Sequence, residues 1–475
     1  MQVVPDPDIQ RGGGSVGEYG VGTHRPVGPN QGENKATRQA GDQKDDAHGH
    51  RARLGAQRVD QHSGVVQGDT GGDPAHHEPP ASELDRFPRG NLIGIPGAPE
   101  RMVQNPSHDA NWTVCDAVSE PAQGGHAAHS TGVTVIAGRP DSSGARAASL
   151  ESRRAILADR DGSTWLLWDG RRSQINLADH AITNALGLGQ ANSEVPAPRP
   201  IALGLFNAIP EGPPLTAPGI PNAGAPAPFS VPAPIGAVVV SYALDQSSSG
   251  APRYYAVLPD GLQQISPVLA AILRNTNSYG LDQPPRLGAD AVAKLPVSRM
   301  LDTARYPDQQ ISLVDAAKSP VACAYWSKPA GAATSSLNLL SGSALPIAES
   351  IRTVDLVGGG AATTATRVAV APGTGYFTQT VGGGPDSPGT GSLFWVSDTG
   401  VRYGIDNEAE HSAAGHGKTV EALGLSGSPV PIPWSVLSLF ANGPTLSRAD
   451  ALLAHDGLTS DPKPGRVASA EGAPR

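Results

Sequence analysis

Three stretches of the chain repeat one arrangement of apolar and polar positions around an Asp and a Gly. Residues 163–175 read STWLLWDGRRSQI, residues 253–265 read RYYAVLPDGLQQI, and residues 392–405 read SLFWVSDTGVRYGI. Asp-Gly between apolar-rich segments is a strong hairpin signal, because glycine takes positive φ without steric cost. Each stretch predicts two strands and a tight turn, at Asp169-Gly170, Asp260-Gly261 and Asp398-Thr399-Gly400. Alternation puts Tyr255 and Val257 on one face of the second hairpin and Tyr254 and Ala256 on the other. A helix-like segment follows each hairpin, at 176–188, 266–277 and, after an insertion, 417–425. In the first, Asn176 or Asp179 serves as the cap and Gly187 as the stop. A β-β-α unit this small buries too little by itself and must pack on a neighbour. About 90 and then about 140 residues separate the copies, so they form neither a closed propeller nor a regular solenoid.

Elsewhere the pattern marks the limits of the folded part. Before residue 80 there is one Leu (Leu54), one Ile (Ile9) and no Phe or Trp. Such a segment cannot bury enough apolar area to offset its chain entropy and is expected to be disordered. The tail 459–475 is again polar and rich in Pro, Ala and Gly. Residues 433–456 carry the strongest helical pair, with Ser447 and Asp450 as a partial capping box. The best apolar run, IGAVVVSYAL at 235–244, is half a membrane span and reads as a strand. The start lacks the basic and apolar regions of a signal peptide.

Composition supports short strands and many turns: 58 Gly and 45 Pro against 4% aromatic residues. A net charge of −9 with no Lys/Arg-rich run argues against a nucleic-acid surface.

Candidate chemistry is sparse. AAGHGKT at 413–419 ends like a phosphate-binding loop, which offers Gly417, Lys418 and Thr419 as a nucleotide site for ATP. That cradle needs a glycine where Ser412 stands, so a glycine-rich insertion in the last repeat is the better reading. SDTGV at 397–401 contains the Asp-Thr-Gly of aspartic proteases, but their chemistry needs a second carboxylate loop, and the position is that of a repeat turn. No G-x-S-x-G elbow anchors a hydrolase. His48, His50, His76 and His77 lack the ligand spacing of a zinc site, and His180 and His455 read as helix-surface or capping residues. Trp165, Trp168, Tyr254, Tyr255, Phe394 and Trp395 suit carbohydrate contact if exposed, although alternation makes most of them core. Cys115 and Cys323 read equally well as two buried thiols or as one disulfide closing a loop of about 208 residues.

FPRGNLIGIPGAPERMVQ, NWTVCD, GLFNAIPEGPPLTAP, YYAVLPDGLQQISPVLAAILRNTNSYGL, GVRYGIDNE and GPTLSRADALLAHD resemble EccB. This is a membrane-complex component of mycobacterial type VII (ESX) secretion systems. The blocks span about residues 82–460 and are most like the paralogue of the third, iron- and zinc-linked system. The resemblance implies a cytosolic arm, one inner-membrane helix and an elongated periplasmic region with repeat modules around a central β-domain. It implies a Cys115–Cys323 disulfide across that domain. It also implies partners among the EccC, EccD and EccE families, self-association, and no cofactor, although such proteins are sometimes labelled ATPases. Residues 1–80 match neither the arm nor the span, and their composition reads as another reading frame or a disordered arm.

The expected organisation is therefore mainly β with short helices (α+β). Residues 82–145 and 305–385 form the two parts of the central domain. Modules occupy 150–205, 230–300 and 386–458, and the ends 1–80 and 459–475 are unstructured. The function expected is a non-catalytic scaffold of the secretion complex, with an envelope ATPase or hydrolase, or a cell-wall-binding module, as the alternatives.

Overall fold

The computed structural model describes residues 93–119, 129–188, 195–242, 252–356, 363–406 and 418–454, all within one compact unit, His50–Arg475. The segments 1–80 and 459–475 lie outside the described residues. Among those described, four sheets form, of seven, four, five and five strands, with only short helices between them. None of these helices is long and apolar enough to cross a membrane.

The seven-stranded central sheet is built from distant parts of the chain. Ala110–Ser119 lies in the middle, antiparallel to both His129–Ala137 and Val321–Lys328. Ser336–Gly342 and Ala148–Ser149 extend one side, and Arg367–Ala369 and Val354–Asp355 the other. Successive side chains of a strand point to opposite faces, and both faces are covered here. Ala110, Trp112 and Val114 enter the largest apolar cluster, together with Val430, Ile432, Leu437 and Phe440 of the third module. Cys115 and Ala117 face a smaller cluster with Val321, Cys323, Leu340 and Ala369.

The first module pairs Arg154–Arg160, Ser163–Trp168 and Arg171–Gln174, with Arg199–Pro200 and Ser312–Leu313 parallel to Arg154–Arg160. Its helix, His180–Leu186, is capped by Asp179, whose carboxylate accepts from the Ala181 and Ile182 N–H groups, and Gly187 ends it at φ 83°. The second module orders its strands Gly261–Ile265, Arg253–Leu258, Val238–Ser241 and Arg286–Leu287. Its helix, Pro267–Thr276, is capped by Ser266. The two helices pack together, and Ile182, Leu186, Leu269 and Ile272 share one core. The third sheet orders Val430–Pro433, Tyr376–Val381, Leu393–Val396, Val401–Ile405 and Ala441–Asn442.

Several expectations change. The central domain does not run continuously over 305–385. Ser312–Leu313 belongs to the first module, where it pairs with Arg154–Arg160, and Tyr376–Val381 to the third, where it lies between Leu393–Val396 and Val430–Pro433. The first module also reaches beyond residue 205, through bridges of Arg172 to Glu211 and Ile175 to Leu215. The helical pair at 433–456 shrinks to single turns, Trp434–Leu437 and Arg448–Ala451, with strand Ala441–Asn442 between them. Val436, Leu437, Leu439 and Phe440 are all buried, so this apolar run fills a core between elements rather than one helical stripe. Ser447 does cap its turn, accepting from the Asp450 N–H. Residues 253–258 separate their faces as alternation requires, yet both faces are covered. Tyr254, Ala256 and Leu258 meet the shared core, while Tyr255 and Val257 meet a second cluster containing Val239 and Leu262.

Candidate functional site

The three turns differ in register. Trp168 pairs with Arg171, so Asp169 and Gly170 form a two-residue loop with φ of 43° and 69°. This is the double positive φ of a type I′ turn. In the second hairpin Leu258 pairs with Gly261, so the loop residues are Pro259 and Asp260, one position earlier than the sequence suggests. Gly261 is the first strand residue, at φ 154°. Pro259 fixes its own φ in a range suited to a turn. In the third, Val396 pairs with Arg402 across a longer loop in which Gly400 has φ 81°.

What these glycines touch matters more than their dihedrals. A β-carbon at Gly170 would collide with the carbonyl of Leu337 in the central sheet, and one at Gly261 with the carbonyl of Pro296. At Gly400 it would stand 2.5 Å from Leu356 and 2.6 Å from Val368, the latter in the central strand Arg367–Ala369. The first and third turns are therefore docking points on the central sheet, and the second braces a loop of its own module. Asp398 is part of the same device, because its Oδ2 accepts from the Gly373 N–H at 2.6 Å.

Cys115 and Cys323 sit opposite each other in register on adjacent central strands, Cα atoms 4.1 Å apart, and form a disulfide. Beside it lies a buried charge pair that sequence reasoning missed. Asp116 accepts from the Ser130 hydroxyl at 2.6 Å and the Ala202 N–H at 2.7 Å. The Arg199 guanidinium is 3.7 Å from its Oδ2 and donates to the Pro320 carbonyl at 3.0 Å. Both side chains are almost fully buried. Burial pushes the Asp116 carboxyl above its ordinary value, with Arg199 opposing, and pulls Arg199 below its own. Arg199 belongs to a strand of the first module, so this pair links that module to the central sheet. The only signal in the sequence is an acid within the apolar run WTVCDAV.

The carbohydrate-contact candidates are engaged elsewhere. Trp168 and Trp395 are buried, and Trp165 packs edge-on against Phe206 with ring centroids 5.0 Å apart. His180 is the first residue of its helix, and among the described residues no group of His, Cys, Asp and Glu could hold a metal.

The family profile described as type VII secretion system ESX-1, transport TM domain B (EccB), matches residues 70–460. The chain belongs to the EccB family. Over 398 residues it is 71% identical to the Mycobacterium tuberculosis H37Rv protein described as ESX-3 secretion system ATPase EccB3. That match covers 83% of this chain and 73% of that protein. Identity to the Mycolicibacterium smegmatis counterpart is 60%, covering 81% and 72%. Among solved structures, the EccB3 dimer from the ESX-3 core complex is similar with a TM-score of 0.67 at 58% identity, over 79% of this chain and 89% of that one. The periplasmic assembly of the ESX-5 inner membrane complex is similar with a TM-score of 0.65 at 36% identity, over 80% and 87%. The mainly β fold of several small sheets is thus that of periplasmic EccB assemblies, and the homologues belong to inner-membrane complexes.

For an EccB protein the nucleotide question centres on Gly417, Lys418 and Thr419. Gly417 lies outside the described residues. Lys418 and Thr419 open a five-residue helix, Lys418–Ala422. Thr419 is buried with its hydroxyl unpaired, and the adjacent Val420 packs on the cluster of Phe377, Trp395 and Tyr403.

Proposed function

We propose that the chain is a non-catalytic scaffold of an ESX-3-type membrane complex, supporting protein export linked to iron and zinc acquisition. It binds no cofactor and works through surfaces that meet EccC, EccD and EccE partners and a second copy of itself. The observation that carries the non-catalytic reading is Thr419. A phosphate cradle presents this hydroxyl to a magnesium ion, whereas here it is enclosed on a helix packed into a module core. Ser412 in place of the first glycine of the motif points the same way. The scaffold reading draws on family membership along the folded part and on relatives solved inside assemblies. The ATPase description of the relatives defines the competing reading. Full-length chain, wild type and Lys418→Ala, should show the same background ATP hydrolysis and the same recovery of the membrane complex. ATP turnover that falls in the Lys418→Ala variant would establish the enzyme instead, and wall fragments retained by the purified chain would favour a cell-wall module.

A further inference from the structure

The third module holds a cation that meets no counter-ion among the described residues. Arg402, on strand Val401–Ile405, lays its guanidinium over the Trp434 ring, 4.9 Å from the centroid. Its Nε is buried and makes no hydrogen bond. Among the described residues, no ion pair includes it. The Nε atoms of Arg172 and Arg305 are also buried without a hydrogen bond. Those guanidiniums, however, find partners through their other nitrogens, Arg172 at Glu211 and the Phe206 carbonyl and Arg305 at the Pro214 carbonyl, and Arg199 faces Asp116. A buried donor left unpaired is costly, and native structures rarely keep one without a reason.

The reason lies beside it. A cleft of about 250 Å³ is lined by Arg402 together with Asn207, Thr363, Thr364, Ser435 and Asn442. These amides and hydroxyls can donate hydrogen bonds, and among the described residues no acidic side chain lines the cleft. A cation framed by neutral donors matches a carboxylate, which accepts from several partners at once. The chain as a whole has 44 acidic against 35 basic residues, so its general field does not collect anions here, and the selectivity must be local. Trp434 flanks the arginine and is 53% exposed, with Phe394 at 6.3 Å between ring centroids. A free carboxylate would leave that ring in water, whereas a polypeptide would cover it. Trp and Arg are the residues that most often anchor protein interfaces.

We propose that the Arg402–Trp434 cleft receives an Asp or Glu side chain from an acidic segment of a partner polypeptide in the secretion assembly. The inference rests on the scaffold reading above and adds the chemistry of one contact. The test recovers the membrane complex with full-length wild type, Arg402→Gln, Arg402→Lys and Trp434→Ala, each checked by thermal melting. Recovery should drop about tenfold for Arg402→Gln and Trp434→Ala, the loss expected of an interface anchor, and partially for Arg402→Lys. Wild-type recovery by a folded Arg402→Gln variant would overturn the proposal. Should that variant fail to fold, a photo-crosslinking residue at Ser435 in otherwise unchanged chain decides. An adduct with an acid-bearing segment of a partner supports the contact, and an adduct with an acid-free segment, or none, overturns it. Failure of the wild-type chain itself to bring down the complex would sink the scaffold reading, and this inference with it.

Discussion

The central sheet and the hairpin modules solve opposite problems of chain closure. Each hairpin joins strands only a few residues apart, and a tight turn fixes its register. The central sheet instead pairs Ala110–Ser119 with Val321–Lys328, strands separated by the whole of the first two modules. Closing a loop of that length costs entropy before any contact offsets it. This is where the protein places its disulfide and, one residue away, its buried ion pair. In the modules the work falls to turn glycines and apolar packing. The disulfide and the ion pair buried on both sides appear where sequence distance is large, and local turn chemistry suffices where it is small.

The largest break in that contrast is removal of the disulfide. With a separation of 208 residues, loop-entropy reasoning gives a loss of about 5 kcal/mol for Cys115→Ala/Cys323→Ala. Denaturant unfolding should show it, with amide exchange rising first in the central sheet. An equal loss of protection in the second module would contradict the contrast.

Next comes the charge pair. Asp116→Ala leaves Arg199 buried and uncompensated, and should cost about 3–5 kcal/mol. Asp116→Asn, whose amide oxygen can still accept from the Ala202 N–H while its NH2 donates to the Ser130 hydroxyl, should cost less. Burial raises the folded-state pKa of Asp116 above its ordinary 3.8. Its contribution is therefore fully present below the unfolded value and declines as pH rises through the folded value. Stability of the wild type relative to Asp116→Asn should accordingly fall as pH climbs above about 3.8. A relative gain over that range would show that Arg199 outweighs burial.

The glycines sharpen the contrast further. Gly170→Val, Gly261→Val and Gly400→Val should each cost about 1–3 kcal/mol through backbone strain, and more through collision of the new side chain with its neighbour. Their reach should differ. Gly170 and Gly400 touch the central sheet, so exchange should rise both in their modules and in strands Ser336–Gly342 or Arg367–Ala369, whereas Gly261→Val should spare that sheet. Identical exchange patterns for all three would remove the distinction between docking and internal turns.

The smallest effect is that of Lys418→Ala, for which fold, melting temperature and recovery of the complex should all stay at wild-type values.

Much of this organisation was legible in the residues. The hairpins, their positive-φ glycines, the Asp179 cap and the Gly187 stop follow from short-range sterics and hydrogen bonding, which the local sequence contains in full. Blocks such as NWTVCD and YYAVLPDGLQQI carried the family as well. Other features depended on which surfaces meet. The stretch 433–456 reads as a helical pair, yet it became two single turns with a short strand between them, because sheets close on its apolar residues from several sides. Tyr254 and Tyr255 alternate as expected, but whether the second face meets water depended on a separate cluster around Val239. From the residues alone Cys115 and Cys323 fit free thiols as well as a bridge, and only their in-register placement joined them. Asp116, Arg199 and Arg402 were ordinary charges in the sequence. The fold gave the first two each other as partners and, among the described residues, left the third without an ion pair, since desolvation is a property of the assembled fold and not of any segment.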